Sequence, residues 1–169
     1  YTLHKTLMGL VDMAVLGGNA QALEVLSRAA RWFTRWTEPF SRSQMDDILD
    51  VETGGMLEVW ANLYALTGQR EHLTLMERYD RPRLFERLLA GQDALTNMHA
   101  NTTIPEAHGA ARAWEVTGQE RYRQVVEAYW EWAVTRRGAL WSVPSARSTS
   151  AWTERPFGCT CQPTKRVPS

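Results

Sequence analysis

The chain has 169 residues, 44% of them hydrophobic and 22% charged, the proportions of one globular domain or a piece of one. Its 19 basic residues balance its 19 acidic ones, and no basic stripe stands out, which excludes nucleic-acid binding driven by phosphate neutralisation. No run approaches the ~18 uninterrupted apolar residues that a membrane span needs.

The first apolar stretch carries Leu7, Leu10, Val11, Met13 and Ala14 and ends at Gly17-Gly18-Asn19. A second stretch follows with Leu23, Leu26, Ala30 and Phe33 at helical spacing among charged residues. After a polar segment from Thr37 to Glu52, the pattern returns. Met56, Leu57, Val59, Trp60, Leu63 and Tyr64 lead to Thr67-Gly68-Gln69, and Leu73, Met76 and Tyr79 follow. It returns once more with Ala110, Ala111, Ala113, Trp114 and Val116 before Thr117-Gly118-Gln119, then Tyr122, Val125, Tyr129 and Trp132. Gly18, Gly68 and Gly118 are thus spaced by fifty residues (68 − 18 and 118 − 68). Glycine lets a helix end through a left-handed residue, and Asn or Gln opens the next one. The repeat predicts three helical hairpins, each with a buried inner helix and a one-sided outer helix.

The fold class that follows is all-α: helical hairpins forming part of a six-hairpin α/α barrel. Tetratricopeptide or HEAT arrays would repeat at about 34 or about 40–47 residues. Both linkers, Thr37 to Glu52 and Tyr79 to Asn101, are long and polar. The second contains Pro82-Arg83-Leu84-Phe85 and Leu88-Leu89-Ala90-Gly91, which predicts a short helix closed by its glycine. Thr103, Pro105 and Glu106 predict a capped start for the third hairpin. Loops on one rim of a helical ring form the mouth of its cavity, so chemistry is expected there.

The hairpin pattern defines a domain over residues 1–138. From 139 to 169 there are five Ser, four Thr and four Pro against one acidic residue, Glu154, and no helical periodicity. Cys159 and Cys161 are the only cysteines; a C-x-C pair without a nearby His does not match structural zinc spacing. No leader is visible and the chain opens on Tyr1, so no compartment is assigned.

Several segments resemble one family in order and spacing. They are Tyr1-Thr2-Leu3-His4-Lys5 with Gly9-Leu10, then Glu52-Thr53-Gly54-Gly55-Met56-Leu57-Glu58-Val59, and Leu63 to Gly68. The densest is His99-Ala100-Asn101-Thr102-Thr103-Ile104-Pro105, followed by Gly109 to Arg112 and Glu115 to Gly118. Over residues 1–138 the chain resembles the catalytic domain of glycoside hydrolase family 127, the β-L-arabinofuranosidase-like group. The resemblance implies a six-hairpin α/α barrel, a retaining glycosidase and a carbohydrate substrate of the L-arabinofuranoside type. It also implies a cysteine nucleophile beside a zinc ion in the intact domain, with a glutamate in a Gly-Glu motif as acid/base.

Those catalytic elements belong beyond Arg137, and the family's Gly-Glu and Glu-x-Cys patterns do not occur there. No catalytic residue and no metal ligand is therefore assigned, and no cofactor is expected in this chain itself. A one-base shift in GC-rich codons for Ser145 to Trp152 reads Val-Gly-Ala-Glu-His-Phe-Ser-Val, close to the family's Gly-Glu-His-Phe segment. The tail is accordingly expected to be frameshifted or disordered.

The expected substrate-binding residues are His4, His99, Glu58 and Glu52. Neutral imidazole both donates to and accepts from a hydroxyl. Glu52 and Glu58 flank a glycine pair that permits close backbone approach. Glu58 lies on an inner helix, where it must pair with a base or face the cavity. Relatives carry His at the position of Thr53, a departure at that part of the pocket. Trp60 and Trp114 are expected in the core, and His72 and His108 on helix faces. Unclosed barrel edges predict self-association, and an isolated half ring is expected to be inactive. Two alternatives stand beside this reading: a non-catalytic helical scaffold, and another α/α-barrel sugar enzyme such as an epimerase.

Overall fold

The computed structural model describes residues 1–137. Gly18, Gly68 and Gly118 all adopt left-handed backbone, with φ of 59°, 64° and 67°, and each reverses the chain between two helices. The first hairpin pairs α1 (Thr2–Val15) with α2 (Ala20–Thr37), the second α4 (Met56–Thr67) with α5 (Arg70–Arg78), and the third α7 (Ala100–Thr117) with α8 (Glu120–Trp130). From Glu131 to Arg136 the last helix widens into π-helical turns. The linkers hold α3 (Arg42–Val51) and α6 (Pro82–Leu89), and no strand occurs among the described residues.

Two of the three turns are built alike. The hydroxyls of Thr67 and Thr117 donate back to the carbonyls of Leu63 and Ala113, at 2.8 and 2.6 Å, and accept from the amides of Gln69 and Gln119. In the first turn, the Asn19 side chain instead accepts from the Ala22 amide at 3.0 Å.

The helices α1, α4 and α7 stand side by side with α4 in the middle, while α2 packs against α5 behind them. This is the inner and outer order of an α/α barrel. A Cβ on Gly109 would fall 2.8 Å from Leu57 Cβ and 3.0 Å from the Glu58 amide, so α4 and α7 meet where only glycine fits. The core centres on α4: Val59, Trp60, Ala61 and Leu63 are fully buried, and Trp60 meets Phe33 edge-on at 5.1 Å.

Burial along the inner row departs from the uniform pattern expected. Only α4 is covered on both sides. Met13 on α1 is 50% exposed and Trp114 on α7 is 40% exposed, because each of those helices has α4 as its one inner neighbour among the described residues.

Two boundaries also differ from expectation. The first linker contains the ten-residue α3, begun by a capping box between Ser41 and Gln44 and held by buried Met45 and Leu49. Three aspartates, Asp46, Asp47 and Asp50, made that segment read as polar linker. The third hairpin starts not at Thr103 but at Ala100, with His99 as its cap. Thr103 is buried with its hydroxyl 3.1 Å from that of Tyr129, and Glu106 is buried against Arg81 rather than capping. The short helix α6 is as expected, closed by Gly91 at φ 69°. The irregular tail, its shifted reading frame and Cys159 and Cys161 lie outside the described residues.

Candidate functional site

The amino-terminal ends of α1, α4 and α7 converge at the rim opposite the three glycine turns. Thr53 is buried, and Gly54, at φ 52°, and Gly55 wrap the His4 ring. A Cβ on Gly55 would stand 2.3 Å from His4 Nε2 and 2.7 Å from Cε1, so the glycine is a steric requirement of that imidazole. His4 is 5% exposed, and its Nδ1 has no protein partner among the described residues. Burial, then the charge of Lys5, lowers its pKa below the ordinary 6.5, with Glu52 opposing. His4 is therefore a neutral imidazole at neutral pH.

Three adjoining hollows occupy this rim. The first, about 550 Å³, runs down the inner face between α1, α4 and α7 and is lined by His4, Asp12, Glu58, Asn101 and His108. The second, about 430 Å³, lies between Glu52, His99, Asn101 and Thr102. A smaller one, about 160 Å³, touches His4, Glu52 and Trp36. Tyr1 lines all three.

Each residue expected at the site has a distinct setting. Glu58 is half-buried, makes no ion pair among the described residues and lines the largest rim hollow. Glu52 is exposed; one carboxylate oxygen accepts from the Gly54 amide at 2.9 Å, which fixes the loop around His4. His99 is exposed, and its Nδ1 accepts from the Asn101 amide at 3.1 Å. With Nδ1 accepting, Nε2 carries a hydrogen and is free to donate. Pro105 is the sixth residue of α7 and has no amide hydrogen to return to the Asn101 carbonyl. Asn101 and Pro105 line the same hollow, so the Asn101 carbonyl lacks its usual helical donor beside it.

Tyr1, Asp12, Asn101 and His108 were not singled out from the sequence as binding residues. The signal for three of them was present: His4, Met8 and Asp12 recur at every fourth position, and Asn101, Ile104 and His108 follow the three-to-four spacing of one helix face. Trp60 sits in the core as expected, whereas Trp114 does not. His72 is buried rather than merely on a helix face, its Nδ1 2.6 Å from the Thr67 hydroxyl.

A further cavity, about 530 Å³, lies on the flank of α7 and α8 and adjoins the rim at Ala100, Ile104 and His108. Its lining is mostly apolar, with Met98, Tyr129, Trp130 and Val134. Among the described residues, no group of three or more His, Cys, Asp or Glu side chains is placed to hold a metal ion. The zinc implied by the resemblance therefore has no fitting ligand set among the described residues. No helix of the described residues is long and apolar enough to cross a membrane.

Three hairpins with inner helices in a row, opening on a polar hollow at their shared amino-terminal end, define a protein of the α/α-barrel class. The catalytic domain of glycoside hydrolase family 127, described as β-L-arabinofuranosidase, matches residues 1–141. The chain belongs to that family of glycoside hydrolases. No curated protein matches the chain.

Proposed function

We propose that the chain supplies the sugar-binding rim of a retaining glycosidase for L-arabinofuranosides or related plant glycans, and that it does not complete the catalytic site by itself. The observation that carries this reading is the convergence of His4, Glu52, Glu58 and His99 on adjoining hollows that share Tyr1. A furanoside is a ring of closely spaced hydroxyls, each of which donates and accepts. His4 as a neutral imidazole can donate or accept, His99 can donate through Nε2, Glu52 and Glu58 accept, and the Asn101 carbonyl adds an acceptor. The buried His4 discriminates most between sugars, because a wrong hydroxyl there leaves a buried polar atom unpaired.

The retaining chemistry needs a nucleophile and an acid/base group on opposite sides of the scissile bond. In the parent family these are the zinc-held thiolate and a glutamate; no residue of this chain is assigned to either role. The apolar flank of α7 and α8 is where a further hairpin would pack in a closed ring. Left open, with Trp130 62% exposed, it favours self-association.

Hydrolysis of an aryl β-L-arabinofuranoside, with zinc and reductant, tests the proposal on this chain beside the frame-restored, full-length gene product. Turnover by the restored protein alone is expected. Turnover by neither would overturn the assignment to arabinofuranosides, and turnover by this chain would overturn the claim that its catalytic site is incomplete.

A further inference from the structure

Between the rim and the core lies an ionic cluster, centred on a buried Arg81–Glu106 pair, that touches none of the sugar-facing residues directly. Arg81, the residue before α6, is 5% exposed. Its Nε and Nη2 reach Asp50 Oδ1 at 3.0 and 2.9 Å, and its Nη1 reaches Glu106 Oε1 at 2.8 Å. Glu106 is equally buried, and its other oxygen has no partner among the described residues. The second oxygen of Asp50 is held by Arg83 at 2.7 Å, which also bonds Asp47. Burial pushes the Glu106 carboxyl up to about 7 against the pull of Arg81, with Asp50 and Glu52 adding to the rise.

Such a cluster is a poor way to gain stability. Removing two charges from water is costly, and apolar pairs of similar volume commonly do as well or better. Its geometry suggests another role. Asp50 precedes Glu52 by two residues at the end of α3, and Glu106 follows His99 by seven, two turns into α7. Glu52 and His99 face each other across one hollow.

The His99 carbonyl accepts from the Thr102 and Thr103 amides at 2.9 and 3.2 Å, but Pro105 leaves the backbone ladder of α7 one bond short, at Asn101. Glu106 is the next residue, and it is tied to α6 and α3 through one guanidinium. We infer that Arg81 is a positioning residue for the rim: by holding Asp50 and Glu106 it sets the separation of Glu52 and His99 across their shared hollow. For its consequence in sugar recognition, this inference rests on the proposed function.

The test uses the full chain and a double variant, Arg81→Met with Glu106→Leu, which leaves Asp50 paired with Arg83. Two readouts need no sugar: solvent exchange of the Asn101 amide, which reports its bond to His99, and the imidazole nitrogen shifts of His99. The third is the Kd for methyl β-L-arabinofuranoside. The double variant is expected to melt within a few degrees of the parent. Its Asn101 amide should exchange faster, its His99 ring should shift, and its sugar affinity should fall by about tenfold. A folded double variant with Asn101 and His99 unchanged would overturn the inference. Should the double variant not fold, Arg81→Lys decides it, because Lys keeps the charge but cannot span both carboxylates. Altered Asn101 and His99 signals then support positioning, and parental signals overturn it. Parent chain that fails to bind sugar, with Asn101 and His99 still responding, removes the sugar reading and leaves the positioning role standing.

Discussion

The two ends of the hairpins follow different rules. At one end, three turns fifty residues apart share a left-handed glycine, and two share the same Thr–Gln hydrogen bonds. At the other end no two hairpins are alike: α1 brings a buried histidine, α4 a glycine pair, and α7 an exposed histidine cap with an internal proline. The repeating end only has to reverse the chain, so one solution serves three times. The irregular end holds buried polar atoms, at His4 and Glu106, that have no partner among the described residues, a local inconsistency of the kind that functional sites carry.

The largest expected effect breaks the rim. Gly55→Ala places a methyl group 2.3 Å from His4 Nε2. The ring must leave its site, and chemical unfolding should show a loss of about 3 kcal/mol, as for overpacked cores. Sugar-induced shifts at His4 should vanish as well. Gly118→Ala probes the other end. A Cβ there meets no atom within 4 Å, so the cost is the left-handed backbone alone, about 1–2 kcal/mol. Sugar affinity should not change.

Smaller again, Thr117→Val should cost about 1 kcal/mol, the net value of a hydrogen bond. Thr67→Val should cost more, because the Thr67 hydroxyl also bonds the buried His72 ring at 2.6 Å; equal losses would show that this extra bond contributes nothing. The finest test is a pH dependence. The His4 pKa is lowered in the fold, so the unfolded chain takes up the proton first on acidification. The stability from burying neutral His4 is present above pH 6.5 and is lost as pH falls below it. The melting temperatures of the parent and His4→Asn should therefore converge between pH 7 and pH 5.

What the sequence reveals follows the same division. The glycine period and the alternation of inner and outer helices are local and repeated, and both the hairpins and α6 could be read from them. The helix α3 was hidden by its aspartates, although Ser41 and Gln44 carry its start signal. Thr103 and Pro105 imitate a helix start, and only the tertiary burial of Thr103 against Tyr129 shows that α7 has already begun. Met13 and Trp114 fit an inner-helix pattern, but a pattern does not reveal how many neighbours a helix has. Arg81 left no mark at all, since its partners lie 31 and 25 residues away. His4, Glu52, Glu58 and His99 were found through a family resemblance, whereas their arrangement around adjoining hollows required the fold.

The central claim is that the irregular rim is a sugar-binding surface. It is tested most directly by titrating the full chain with methyl β-L-arabinofuranoside while following the imidazole signals of His4 and His99, alongside His4→Ala and His99→Ala. The account predicts saturable shifts at both rings and about tenfold weaker binding in either variant, the worth of about 1.4 kcal/mol. Binding that is indifferent to both substitutions, or rings that never respond, would contradict it and favour a helical scaffold without a sugar site.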